Sequence, residues 1–386
     1  MSAVGAAPMW RIPLSDTTLG EEEARAAAEV VRSGWLTQGE RVSTFERAFA
    51  EMVTARHAVA VSNCTVGLEM AYGAVGVQPG DEVIVPALTF VATANAARRL
   101  GATVVFADVR SSDDLCIDPD DVRRKLTNRT RAVAAVHYAG FAADMVALRA
   151  ITESARIALI EDCAHAPGTR TTAGACGALG DVGAFSFFSN KNMTTGEGGM
   201  LTTASDDIAE RLRLMRSHGM TTTTWDRHRG HAFTYDVTSV GTNARMDEIR
   251  AAIGLIQLGR LVEGNGRRAA CVARYRECLA GVPGLGIPFA AHPIDGVSHH
   301  LFVVLLPSDA DRVEVMTALR AAGIQSSIHY PPTHQFSAYR DAAVSLPVTD
   351  AVATRLLTLP LFSSMTDAQV DEVCAALRAA LRLRAT

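Results

Sequence analysis

Short apolar runs rich in β-branched residues alternate with helical segments from about residue 21 to about residue 204, and this alternation constrains the fold most. Strands that are apolar on both faces are buried by helices on both sides of a largely parallel sheet. The pattern therefore predicts an α/β fold, with a mostly parallel seven-stranded sheet between helices in a large domain. The predicted strands are HAVAVSN, DEVIVPA, ATVVFADV, TRAVAAVHYAG, ARIALIEDCAHA, VGAFSFF and GGMLTTA.

A second, smaller domain is predicted at the C-terminal end, since 386 residues are long enough for two cores. The helical segment RMDEIRAAIGLIQLGRLVEGNGRRAACVARYRECLAG leads into it. The segments HHLFVVLLP, RVEVMTALRAAG and IQSSIHYPP then indicate a small α/β domain closing near residue 382. We divide the chain into a large domain, residues 1–255, and a small domain, residues 256–386.

Charge and composition indicate which partners to expect. The net charge is −4 and the basic residues are scattered, so we expect neither a nucleic acid nor an anionic membrane as partner. The N-terminus lacks the pattern of a signal peptide, and no run of about 18 apolar residues could span a bilayer, which favours the cytoplasm. The seven cysteines have no zinc-ligand spacing, so we expect free thiols and no metal.

Ligands of doubly wound sheets lie at the carboxyl ends of the strands, so the residues at these ends are the candidates for function. After the first strand the chain enters a helix at Cys64 and Thr65. Such a turn offers unpaired N–H groups and the positive end of the helix dipole to a phosphate. An ordinary turn with Ser62 or Asn63 as N-cap explains the same residues. Phe90, after the next strand, is either a stacking partner for a planar ligand or part of the core.

Asp162 directly follows an apolar strand, which places its carboxylate at the mouth of the sheet. A buried carboxylate requires a cationic partner, although an N-cap or a surface acid fits the same position. His165 is either a core histidine or a hydrogen-bond partner of a ligand. Lys191 follows one more strand, in SFFSNKNMTTGEGGM, and by itself it would be interpreted as a surface lysine beside a hairpin.

The order of these residues along the chain is more informative than any one of them. A phosphate turn, an aromatic residue, a buried acid and a lysine at successive strand ends match the needs of pyridoxal 5′-phosphate (PLP). Its phosphate needs a helix N-terminus, its ring a stacking partner, its pyridine nitrogen a carboxylate, and its aldehyde a lysine for a Schiff base. The sequence therefore predicts PLP as cofactor.

The sequence also resembles the DegT/DnrJ/StrS-type sugar aminotransferases, which are fold-type I PLP enzymes. The resemblance covers nearly the whole chain. The segments that carry it are GWLTQGERVSTFERAFAEM, SNCTVGLEMA, PALTFVATANA, VHYAGFAADM, EDCAHAPGT, SFFSNKNMTTGEGG, GTNARMDEIRAAIGLIQL and HYPPTHQFSAY.

The resemblance implies a role for each matching residue. Lys191 would bond the cofactor and then move the substrate proton, and Asp162 would pair with the pyridinium nitrogen. His165 would lie near the ring and its phenolic oxygen. Asn243 would reach the phosphate of a neighbouring subunit, which implies a homodimer with shared active sites. The remaining cofactor contacts implied are Cys64, Thr65 and Ser186 at the phosphate and Phe90 on the ring face. Cys64 stands where the family usually has glycine, so this contact requires a negative φ.

The implied activity is transfer of an amino group, with L-glutamate as donor, to a nucleotide-linked keto-deoxysugar in secondary-metabolite or antibiotic biosynthesis. A keto-cyclitol acceptor is the alternative, because both variants share the active-site motifs. Family members with histidine in place of the lysine are dehydratases, and Lys191 therefore favours transamination. A lyase or desulfurase is less favoured because no catalytic cysteine is evident, and a PLP-binding regulator lacks a DNA-binding module. The candidate substrate contacts are Trp35, His329, His334 and Arg245.

Overall fold

The structure, a computed structural model, describes residues 10–222, 224–230, 233–340 and 344–382. Its main strands are β1 (His57–Val61), β2 (Glu82–Pro86), β3 (Thr103–Ala107), β4 (Thr130–Val136), β5 (Ala158–Asp162), β8 (Val182–Ser186) and β9 (Gly199–Thr203), and a short hairpin joins β6 (Arg170–Thr171) to β7 (Gly174–Ala175). The seven main strands form one sheet in the order β1-β9-β8-β5-β4-β2-β3. β9 runs antiparallel to both its neighbours, and the other pairs are parallel. The predicted mostly parallel seven-stranded sheet is confirmed.

Helices cover both faces of this sheet. The helices of the described residues, including those of the C-terminal part, are α1 (Glu21–Ser33), α2 (Glu40–Val53), α3 (Cys64–Ala74), α4 (Ala92–Arg99), α5 (Pro119–Lys125), α6 (Met145–Ala155), α7 (Asp206–Arg216), α8 (Thr224–His228), α9 (Glu248–Leu279), α10 (Arg312–Ala321), α11 (Pro347–Arg355) and α12 (Asp367–Arg382). In β2, Val83 and Val85 pack into the apolar cluster that contains α3 and α4, whereas Ile84 packs into the cluster that contains Leu148 of α6. Alternate side chains of one strand thus enter opposite cores, which explains why β2 is apolar at every position after Glu82.

The local signals for helix ends agree with the structure. α1 ends at Gly34, whose φ of 75° lies in the left-handed region that glycine adopts without strain. Asn63 is the N-cap of α3, because its side-chain oxygen accepts a hydrogen bond of 2.9 Å from the Val66 N–H.

The C-terminal part has its own core, between α9, α10, α12 and an antiparallel pair of strands, β10 (Phe302–Leu305) and β11 (Leu356–Leu359). The segment IQSSIHYPP forms isolated bridges, Ile12 with Ile324 and Ser327 with Thr358, rather than a strand of the small domain. Ile12 is buried in this C-terminal core, so the N-terminal segment contributes to it.

α9 passes from one core to the other without interruption. Ala251 and Leu261 pack into a cluster of the large domain, and Tyr275 and Leu279 into the C-terminal cluster. The predicted division between residues 255 and 256 falls inside this helix and stays a prediction. None of the helices in the described ranges combines the length and the apolar character that a membrane span needs.

Candidate active site

A cavity of about 840 Å³ lies at the carboxyl ends of β1, β2, β4, β5 and β8. The sequence-predicted residues that line it are Cys64, Thr65, Phe90, Asp162, His165, Ser186, Lys191 and His329. Residues from five strand ends and from the C-terminal part therefore share one site, as the rule for parallel sheets predicts.

The N-terminus of α3 forms one wall of the cavity. Asn63 caps the Val66 N–H, but the N–H groups of Cys64 and Thr65 have no acceptor in the described part of the chain. Two free N–H groups at the positive end of an eleven-residue helix suit a phosphate. Cys64 is the first residue of the helix and is not among the described residues with positive φ, so it needs no glycine-like backbone.

Asp162 ends β5 and is 6% exposed. One carboxylate oxygen accepts a hydrogen bond of 2.7 Å from the Thr93 hydroxyl, and the other accepts one of 3.1 Å from the Ala164 N–H. Its carboxylate forms no ion pair with any described residue. A buried carboxylate without a cation of its own, facing a cavity, is suited to a cationic ligand group.

His165 lies beside Asp162 and contacts Tyr330. Its Nε2 is 2.9 Å from the Tyr330 hydroxyl oxygen, while its buried Nδ1 has no partner among the described residues. Burial lowers the pKa of His165 well below its usual value, and the neighbouring Lys191 and His329 lower it further. The ring is therefore neutral and offers one free nitrogen to a ligand.

Lys191 follows β8 and is half-buried, with its side chain lining the cavity. Burial lowers the pKa of this amine to about 8, while the nearby Asp162 acts in the opposite direction. Its Nζ lies 3.3 Å from His300 Nε2. A substantial fraction of the amine is therefore neutral near physiological pH, as a nucleophile or base requires.

Three further predicted contacts line the cavity. Ser186 ends β8 and is 8% exposed, and the ring of Phe90 lies 5.7 Å from that of Tyr330. His329 Nδ1 is 3.0 Å from the Thr358 hydroxyl, and burial lowers the pKa of His329 to about 4.

The structure places four predicted residues outside this cavity. Asn243 is exposed, and the Arg245 guanidinium donates to the Ser217 hydroxyl at 3.0 Å. His334 Nε2 lies 3.1 Å from an Asp350 carboxylate oxygen. Trp35 packs against Trp225 and His228, with ring centroids 4.7 and 4.4 Å away. Their roles stay predictions.

Sequence reasoning missed several residues that complete the site: Thr93, Asn192, His300 and Tyr330. Tyr330 lies in the HYPP segment and Thr93 in PALTFVATANA, so both were within recognised motifs. His300 precedes β10, so it lies at the amino end of a strand, whereas the sequence argument considered only residues at the carboxyl ends.

The site fits the cofactor expected from the sequence. The free N–H groups of α3 suit its phosphate, the unpaired Asp162 suits its pyridinium, and the free Nδ1 of His165 suits its phenolic oxygen. The amine of Lys191 suits its aldehyde. Fold and site together define the class: a PLP-dependent enzyme of fold type I.

Comparison with known proteins identifies the family. The model of the DegT/DnrJ/EryC1/StrS aminotransferase family matches residues 17–378. The chain belongs to this family and is an aminotransferase that uses PLP.

Relatives support this assignment along most of the chain. The spore coat polysaccharide biosynthesis protein SpsC of Bacillus subtilis (strain 168) is 39% identical over 379 residues, covering 95% of this chain and 96% of that protein. The putative sugar aminotransferase Spr1654 from Streptococcus pneumoniae, in its PLP form, has a TM-score of 0.88 at 28% identity. The match covers 96% of this chain and 99% of that one. DesI, solved in the presence of its TDP-sugar product, has a TM-score of 0.87 at 32% identity. The match covers 97% of this chain and 94% of that one.

Proposed function

We propose that the chain transfers an amino group from L-glutamate to the keto group of a nucleotide-linked keto-deoxysugar. The size of the cavity carries the proposal. Its 840 Å³ lie near the upper end of the range of roughly 300–1,000 Å³ for small-molecule pockets, which leaves room for a large substrate beside the cofactor. The relative DesI was solved in the presence of its TDP-sugar product, which belongs to the proposed chemical class of nucleotide-linked sugars.

The charge of the rim supports a diphosphate-bearing substrate. Arg99 and Arg250 line the cavity. Arg99 pairs through Nε with Glu69 at 2.6 Å, and Arg250 through Nε with Asp247 at 3.5 Å. Among the described residues these ion pairs use only Nε, so the terminal guanidinium nitrogens are available to phosphate oxygens.

Each part of the site has a task in this reaction. Bound PLP supplies an electron sink. Lys191 Nζ receives the proton from the substrate carbon and returns it, which its lowered pKa permits near neutrality. Thr93 and the Ala164 N–H hold the Asp162 carboxylate toward the cavity. The free N–H groups at the start of α3 bind the phosphate of the cofactor.

We further propose a cytoplasmic homodimer with shared active sites. Asn243 lies on the surface, outside the cavity of its own chain, as a residue that serves a neighbouring site would. Nearby along the chain, Phe233, Tyr235, Val237 and Val240 are 99%, 52%, 54% and 96% exposed, and a group of exposed apolar side chains in one segment supports an interface. Within this proposal the residues that contact the substrate are Trp35, His329, His334 and Arg245.

Cofactor binding is tested by the visible absorbance of the purified protein with PLP. After unbound PLP is removed, we expect the absorption band of a Schiff base in the wild type and its loss in Lys191→Ala, because this variant lacks the amine that bonds the aldehyde. A wild-type protein that stays colourless with PLP would contradict the cofactor assignment for this chain.

The acceptor is tested by the reverse reaction. Nucleotide-linked amino sugars and aminocyclitols are incubated with 2-oxoglutarate, and the keto products are detected by mass spectrometry. We expect conversion of nucleotide-linked amino sugars, with Lys191→Ala as the inactive control. Conversion of aminocyclitols alone would replace the proposed acceptor by a keto-cyclitol. Conversion with pyruvate but not with 2-oxoglutarate would exclude glutamate as donor.

A further inference from the structure

His300 makes the direct polar contact to the amine of Lys191. The distance from Lys191 Nζ to His300 Nε2 is 3.3 Å, and no other side chain of the described residues hydrogen-bonds this amine. His300 is 6% exposed and reaches the site from the segment before β10, so the contact joins the C-terminal part to the end of β8.

The hydrogen bonds of Asn192 determine which nitrogen of His300 carries the proton. Asn192 Nδ2 donates to the Ser298 carbonyl at 2.6 Å and to Asn265 Oδ1 at 2.8 Å. Asn265 Oδ1 must be an acceptor because its own Nδ2 donates to the Pro167 carbonyl at 2.9 Å. A carbonyl accepts only, so the amide of Asn192 has a single orientation.

In that orientation Asn192 Oδ1 faces His300 Nδ1 at 3.0 Å. An amide oxygen cannot donate, and therefore His300 Nδ1 carries the hydrogen. In a neutral ring the other nitrogen is then an acceptor. The lone pair of His300 Nε2 consequently points at Lys191 Nζ.

The surroundings keep the His300 ring neutral. Burial lowers the pKa of His300 well below its usual value, and Lys191, His165, Arg268 and His329 lower it further. Several titratable groups from different elements face the lysine amine. They are Asp162 at the end of β5, Cys64 at the start of α3, and His165, His300 and His329 in loops.

We propose that His300 is a further catalytic residue, which accepts a hydrogen bond from Lys191 Nζ and stabilises its ammonium form while the amine carries the substrate proton. Asn192 is the positioning residue that sets the tautomer of His300. Because His300 is itself a poor base here, it stabilises the proton on Nζ without removing it. The proposal depends on the PLP chemistry of Lys191 and not on which ketone is aminated.

The chain contains two lysines, Lys125 and Lys191, which permits a direct test. Lysine carrying ¹³C at Cε is incorporated into the full-length protein, loaded with pyridoxamine 5′-phosphate. This cofactor form has no aldehyde, so Lys191 remains a free amine. Two lysine signals are then followed against pH, and Lys125, bonded to Asp121 at 2.7 Å and to the Phe106 carbonyl, is the internal reference.

The two decisive variants are His300→Phe and His300→Gln. Phenylalanine removes the acceptor, so we expect the Lys191 midpoint to fall by roughly 0.5 pH unit or more, because a hydrogen bond to the charged form favours that form. Glutamine can donate to Asn192 and accept from Lys191, and should keep the wild-type midpoint. An unchanged midpoint in His300→Phe, or a lowered one in His300→Gln, would overturn the proposal.

A second measurement needs no destabilising variant. ¹⁵N-labelled histidine in the wild-type protein, with His300 assigned through His300→Gln, should show the Nδ1–H tautomer at His300. An Nε2–H tautomer, or a doubly protonated ring near neutral pH, would contradict the proposed acceptor role even if His300→Phe fails to fold. Neither experiment uses a sugar or an amino donor, so its outcome is independent of the proposed substrate.

Discussion

Asp162 is held by hydrogen bonds and not by an ion pair within the described chain. The Thr93 hydroxyl donates to its carboxylate at 2.7 Å, from the first turn of α4. Thr93 is itself fully buried, so the bond is formed away from water. A hydrogen bond to a charged carboxylate is stronger than a hydrogen bond between two neutral groups.

Thr93→Val should therefore lower the free energy of unfolding by about 1.5–3 kcal/mol, the usual value of a hydrogen bond to a charged group. Valine has nearly the shape of threonine but no donor. The measurement is urea denaturation of the cofactor-free protein, with Thr93→Ser as the control that keeps the hydroxyl. Equal loss in both variants would assign the effect to packing.

The amine of Lys191 makes stability depend on pH. In the folded chain burial lowers its pKa to about 8, against a usual value of 10.5. Between these values the unfolded chain binds a proton that the folded chain does not, so stability rises with pH. Above the usual value the amine is neutral in both states, and the dependence ends.

Relative to Lys191→Met, the cofactor-free wild type should gain up to about 3 kcal/mol of stability as the pH rises through this window. Denaturation at several pH values measures the difference between the two proteins, in which the titration of tyrosines and cysteines cancels. A difference that does not change with pH would show that the amine titrates normally.

At the scale of elements, a side chain of α9 caps α2. The N-cap position of α2 is Gly39, which has no side chain to offer. Glu248 supplies the acceptors instead: one oxygen binds the Gly39 and Val42 N–H groups and the other binds the Arg41 N–H, each at 2.9 Å. The carboxylate also lies at the positive end of the helix dipole.

Glu248→Ala should lower the free energy of unfolding by about 2–3 kcal/mol, because three N–H groups lose a buried charged acceptor. Glu263→Ala is the matched control on the same helix, since its exposed pair with Arg267 contributes at most about 0.5 kcal/mol. Chemical denaturation of both variants checks the difference. Similar effects of the two substitutions would argue against the capping role.

Strand ends were predictable from the sequence because each combines a local apolar run with a polar residue. Asp162 and Lys191 could be proposed in this way, and Asn63 could be proposed from the preference of helix N-caps. β11 was not predicted, since a four-residue apolar run beside a helix carries little signal. His300 could not be placed at all, because its contact spans 109 residues of chain and depends on how two cores meet.

Three buried polar residues in and beside β4 and β5 could be mistaken for a metal site. His137, Glu161 and Cys163 lie close enough together to hold a metal ion. However, His137 Nδ1 accepts from the Ala143 N–H and its Nε2 contacts Glu161 at 2.9 Å, so both ring nitrogens are engaged. Glu161 in turn accepts from the Gly177 N–H and orders the loop after β7. The arrangement supports β5, and through it Asp162, without requiring a metal.

At the scale of the whole molecule, sharing of sites between two chains can be tested by complementation. Lys191→Ala and Asn243→Asp are each expected to be inactive as homodimers, the second because its charge would repel the cofactor phosphate of the neighbour. In a mixed dimer, one site has both mutations and the other has neither. Dimers that carry both tags are all mixed and have one intact site of two, so they should recover about half of wild-type activity.

Activity is measured after co-purification with two different tags, which also reports the oligomeric state. Mixed dimers that remain inactive would show that Asn243 acts on its own chain or not at all. A monomeric wild type in solution would exclude shared sites.

The continuous path of α9 through two cores has a consequence for how the molecule opens. Its central turns contain Gly259, Gly264 and Gly266, of which Gly259 and Gly266 are exposed, and each glycine costs a helix about 1 kcal/mol relative to alanine. Its ends are anchored by buried residues such as Ala251 and Tyr275. Helices usually fray from their termini, but here we expect amide hydrogen exchange to be fastest near the middle. The longest helix in the described ranges would then melt from its centre outward, and Gly259→Ala, for whose added methyl group the space is open, should slow that exchange.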